Sequence, residues 1–177
     1  MGIFAKKPVQ SVKQAAPQVL MLPLSAHEVG ELIEVITAVR GGERMAAEMA
    51  LQSIQRWEAR RSIVALGTLG ERYIKYLVDV AALVVGEGPD GVKALVEKLR
   101  TAIPETLRPS EEVMFDAVVL ATSSNNLNVR RRIEEDPAGA LVGLVYLCAA
   151  CTSLSNEVPS GKRPSLGEML HGIAAPW

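Results

Sequence analysis

The sequence predicts an all-α fold: a single-domain bundle of about six to seven helices around a central apolar helix at about 138–155. Three observations carry that expectation. Hydrophobic residues make up 49% of the chain but aromatics only 4%, so the core must be built from Ala, Val, Leu and Ile, which suits closely packed helices. Apolar residues recur at i, i+3, i+4 and i+7 in successive segments, and none shows the strict alternation of a half-buried strand. The run Pro137–Asn156, PAGALVGLVYLCAACTSLSN, holds twenty residues without a charge, and charged residues fence both its ends. The 177-residue length fits about one domain, large enough to bury a core without disulfide or metal.

Residues 1–24 read as a flexible or extended N-terminal arm. Lys6, Lys7 and Lys13 lie in it, with Pro8 and Pro17, and no acidic residue appears before Glu28. The apolar QVLMLPL, residues 18–24, reads as an extended lead-in that packs on the first helix. The helical domain then spans 25–157. Ser25 and Glu28 have the spacing of a capping box, and Leu32, Ile33, Val35, Ile36 and Val39 form one face of a helix over about 26–40. Gly41-Gly42 supplies a left-handed stop. The second helix starts near Glu43 and carries Ala47, Ala50, Leu51, Ile54 and Trp57 in one stripe. Arg56, Arg60 and Arg61, with Glu58 among them, read as a solvated face.

Gly67 and Gly70 are expected to bracket a bend before a third helix at about 70–85. Val78, Val80, Val84 and Val85 belong to its broad apolar surface, so it should be covered on most of its circumference. GEGPDG, residues 86–91, is a turn by composition; it has no P-loop Lys-Ser/Thr and no preceding strand. A fourth helix at about 91–103 ends at Pro104. Ser110 is the next N-cap, with Glu111 and Glu112 in the first turn where the helix dipole favours acids. The fifth helix stops in TSSNNLN, and a short charged helix, Val129–Glu135, leads to the central one. Residues 158–177 read as a linker and a short C-terminal helix opened by a second capping box, Ser165 and Glu168. Trp177 is costly to expose and should pack on its own domain or anchor to a neighbour.

Two signals could carry chemistry. Cys148 and Cys151 share a helix face, as a thiol redox pair would. A reactive thiol needs a lowered pKa from a cation or a helix N-terminus, and this pair sits deep in an uncharged apolar run. The spacing is similar to the C-x-x-C of the helical alkylhydroperoxidase-like family. That family places a His four residues after the second Cys, where this chain has Ser155, so no catalytic role is carried over. Asp116–Pro137 has the outline of a helix-turn-helix-like DNA-binding module using Arg130, Arg131 and Arg132. Its spacing is short, however, and Glu134, Glu135 and Asp136 offset the arginines at once.

The chain has 19 basic and 20 acidic residues, a net charge of −1, which argues against nucleic acid as the partner. The polar end of the 137–156 run, through Thr152, Ser153, Ser155 and Asn156, argues against a membrane span. The N-terminus lacks the apolar core of a signal peptide, so a cytoplasmic location is expected. No catalytic set, metal site or cofactor motif can be assembled around His27 and His171. The expected function is therefore a non-catalytic protein-interaction or assembly module. It would act on a protein partner or through self-association, with Trp57, Arg60, Arg61 and Trp177 as interaction candidates.

Overall fold

The computed structural model describes residues 19–81, 83, 86–123, 131, 133–158 and 163–177. They form an all-α helical bundle with one small two-stranded sheet. At its centre is the uncharged stretch, a helix over Pro137–Glu157 (α6), which packs against helices on several sides. Asp136 caps it by accepting from the Gly139 amide at 2.9 Å, and Pro137 occupies the first turn, where a missing N–H costs nothing. Leu141, Leu144, Val145, Leu147, Cys148, Ala149, Ala150 and Cys151 are all buried. Thr152 and Ser155 are buried too. Their hydroxyls donate to the carbonyls of Cys148 (2.7 Å) and Cys151 (2.8 Å), so no polar atom there lacks a partner.

The first helix, α1, spans Ala26–Gly41 and opens with the expected capping box. The Glu28 amide donates to Ser25 Oγ at 3.2 Å, and the Ser25 amide donates to Glu28 Oε2 at 2.7 Å. It ends at Gly42, whose φ of 74° is left-handed and whose Cα lies so close to Pro104 that a Cβ would sit 2.9 Å from that ring. The second helix, α2, spans Arg44–Gln55 and buries Ala47, Ala50 and Ile54.

The sequence misplaces the next break. No bend occurs at Gly67 and Gly70; the third helix, α3, runs through both, from Ala59 to Lys75. The chain breaks earlier, at Trp57-Glu58, where the Glu58 side chain caps α3 by accepting from the Arg61 amide at 2.9 Å. Gly70 serves packing instead: a Cβ there would meet Leu147 at 3.1 Å and Ala121 at 3.2 Å. The missing side chain is what brings α3 against α6 and the fifth helix, a use that a glycine count cannot separate from helix breaking.

A π-helical turn, Tyr76–Val80, follows α3, so the expected helix to residue 85 stops short. Val78 and Val80 are exposed, contrary to the expected coverage, while Val84 and Val85 lie outside the described residues. Helix α4 spans Gly88–Thr101, beginning inside the GEGPDG turn, and α5 spans Glu111–Thr122 with Ser110 accepting from the Val113 amide at 3.2 Å. Of the short charged helix, Arg131 and Ile133–Glu135 are helical, and Val129, Arg130 and Arg132 lie outside the described residues. The second capping box also forms, opening α7, Leu166–Leu170.

The strands are absent from the sequence expectation. β1, Met21–Pro23, pairs antiparallel with β2, Ala174–Pro176, in the register Met21–Pro176, Leu22–Ala175 and Pro23–Ala174. Flanking bonds extend the pairing: Leu24 N–H donates to the Ile173 carbonyl and Trp177 N–H to the Leu20 carbonyl, both at 3.1 Å. Three residues, one of them proline, are too few to print an alternation on either segment.

Candidate functional site

Arg61 organises a surface feature where α1, α2, α3 and the small sheet meet. Although the sequence reading puts it on a solvated face, its residue is only 4% exposed. It projects from the first turn of α3, beneath the small sheet. Its guanidinium forms a two-pronged ion pair with Glu28: Nε donates to Oε1, and Nη2 donates to Oε2 at 2.9 Å. Nη1 donates to the Ala175 carbonyl at 2.9 Å and, less closely, to the Leu22 and Pro176 carbonyls at 3.4 Å; Nη2 also donates to the Pro23 carbonyl at 3.1 Å. One side chain thus ties α1, β1 and β2 to α3. The Arg61 guanidinium beside Glu28 lowers the Glu28 pKa from 4.5 to about 2, against a smaller opposing effect of burial.

A second arginine repeats the device. Arg72, three turns further along α3, donates to the Met169 carbonyl at 2.7 Å and the His171 carbonyl at 2.8 Å. Together the two arginines fasten the C-terminal segment along one face of α3.

Above Arg61 lies the indole of Trp177, with the ring centroid 5.5 Å from the guanidinium carbon, a cation–π distance. The residue is nevertheless 79% exposed. Across from it, Trp57 is half-buried at the α2–α3 junction and donates through Nε1 to Glu31 Oε2 at 2.7 Å. These two indoles, with Glu31, Glu58, Arg56 and His27, line an open groove of about 570 Å³. His27 Nε2 lies 3.6 Å from Glu31 Oε1 at its edge. Three of the four interaction candidates, Trp57, Arg61 and Trp177, therefore meet at one place. Arg60 is exposed and does not line the groove. Glu28, Glu31 and Glu58 complete it, and sequence reasoning missed their contribution beyond capping. The only signal in the chain was a capping-box Glu and a Trp–Arg cluster on separate helices.

The other candidates do not converge there. Cys148 and Cys151 are fully buried in α6, and burial pushes both thiol pKa values up, further from the thiolate that redox chemistry requires. Cys148 Sγ lies 3.5 Å from the Leu66 carbonyl. Arg131 is exposed and pairs with Glu135 at 2.9 Å, one turn on, while Arg130 and Arg132 lie outside the described residues. Among the described residues no group of His, Cys, Asp and Glu side chains could hold a metal ion. Helix α6 is long and apolar enough to cross a membrane by length and composition, but 61% of its most apolar window is buried inside the bundle. The chain matches no protein-family model, no curated protein and no solved structure.

Proposed function

We propose that the chain is a non-catalytic helical interaction module that docks a protein segment in the groove between Trp57 and Trp177. The observation that carries this reading is the Trp177 indole, 79% exposed yet held in place over a buried guanidinium. Exposing so large an aromatic forfeits about 1.5–3 kcal/mol of burial. Tryptophan, with tyrosine and arginine, is enriched at the energetic centres of protein interfaces. Trp57 opposite it offers a second aromatic wall, and the carboxylates around them offer a polar rim.

Light scattering on the purified chain tests the reading. A species heavier than the 19.0 kDa chain is expected, alone or with a copurifying partner, and Trp177→Ala should return it to the monomer. A strict monomer at any concentration, with no copurifying partner and no peptide that shifts the Trp57 and Trp177 indole signals, removes the proposal.

A further inference from the structure

We propose that the occupant of the groove is the basic N-terminal segment of this same chain, residues 1–18, which a protein partner must displace. The inference rests on reading the groove as a docking site and adds what fills it.

The chemistry of the groove selects a cation. Arg61 presents no open donor to an anion, because its N–H groups are occupied by Glu28 and by the carbonyls of Leu22, Pro23, Ala175 and Pro176. Glu28 and Arg61 neutralise each other in their ion pair. The remaining acidic and basic lining is two carboxylates, Glu31 and Glu58, against one guanidinium, Arg56. Indole faces attract ammonium groups, and two of them flank this space. A lysine side chain meets all three conditions: its stem packs on the indoles and its ammonium reaches the carboxylates.

The chain itself carries such side chains in reach. Residues 1–18 hold Lys6, Lys7 and Lys13 and no Asp or Glu. The segment joins the described chain at Val19, and the next residue, Leu20, accepts a hydrogen bond from the Trp177 amide at 3.1 Å. Its point of attachment is therefore the backbone of the groove's own wall. Val19, Leu20 and Met21 are all exposed there, 45%, 62% and 48%, as a strip leading to that wall. Eighteen residues reach at most about 60 Å, so tether length does not prevent any of the three lysines from entering. A short tether also holds the segment at an effective concentration on the order of millimolar.

The test uses the full chain with Lys6→Glu, Lys7→Glu and Lys13→Glu, and a synthetic peptide of residues 1–18 as probe. Trp57 and Trp177 are the two tryptophans, so their indole N–H signals in a ¹H–¹⁵N spectrum report the groove directly. An unchanged thermal midpoint establishes that the substituted chain is folded. The peptide should shift both indole signals of the substituted chain saturably, and bind the natural chain at least about tenfold more weakly, because the tethered segment competes. Added salt should weaken the binding. A peptide that moves neither indole signal overturns the proposal, as does equal binding to both chains. Hexalysine, titrated in parallel, separates the two levels. If it shifts the indoles where the peptide does not, the groove docks a different basic segment. If neither shifts them, the docking reading falls as well.

Discussion

At the scale of the residue, Arg61 decides more than any other side chain. A buried guanidinium is expensive to desolvate, and it is stable only because Glu28 and four backbone carbonyls surround it. Replacing it leaves the Glu28 carboxylate without its ion-pair partner and takes a donor away from four carbonyls under the sheet. Arg61→Ala should therefore cost about 3–5 kcal/mol in denaturant unfolding, far beyond the few tenths expected of a solvated arginine. A cost below about 1 kcal/mol would mean that water replaces the clasp. Cys148 and Cys151 teach the opposite lesson. The pair stands out in the sequence, but its burial makes both thiols small apolar fillers of the α6 interface.

At the scale of the element, the bundle depends on how closely α3 and α5 approach α6. Gly70 meets Leu147 and Ala121 at 3.1 and 3.2 Å from an added Cβ, and Gly143 would meet Ala117 and the Val113 carbonyl at 3.4 Å. Gly67, one turn before Gly70 on α3, has nothing within 4 Å. The two α3 glycines should therefore respond oppositely. Gly67→Ala should stabilise by about 0.5–1 kcal/mol through helix propensity. Gly70→Val should destabilise by about 1–3 kcal/mol through overpacking. Thermal midpoints of the two variants check this, and a gain in both would show that α3 and α6 can separate without penalty. Helix starts were legible because capping is local: Ser25, Ser110 and Ser165 each sit beside the amides they cap. The α2–α3 break was not legible. A glycine that permits contact has the same letter as one that ends a helix, and only the neighbouring helix distinguishes them.

At the scale of the whole molecule, stability should depend on pH through groups whose pKa values folding changes. Glu28 falls from 4.5 to about 2, so its contribution is complete above about pH 5 and is lost as pH drops toward 2. At the other edge, burial raises the Cys148, Cys151, Tyr73 and Tyr146 pKa values. Their contribution is present at neutral pH and is lost as pH rises past the unfolded-state values of 9.0 and 10.0. Equilibrium unfolding of the natural chain between pH 5 and 2 should therefore show a steeper loss than that of Glu28→Gln, whose side chain does not titrate. Parallel curves would place the acid sensitivity elsewhere. The same ion pair links the two ends of the described chain, since Arg61 holds β1 and β2 together as well as Glu28. By itself the sequence determined the all-α class, the capped helix starts and the buried central helix, because periodicity and capping act between residues a turn apart. Only the tertiary structure decided the two-stranded closure, the burial of Arg61 and the meeting of Trp57 with Trp177. Those contacts join residues from 33 positions apart, Glu28 and Arg61, to 155 positions apart, Met21 and Pro176, and no local pattern records such a distance.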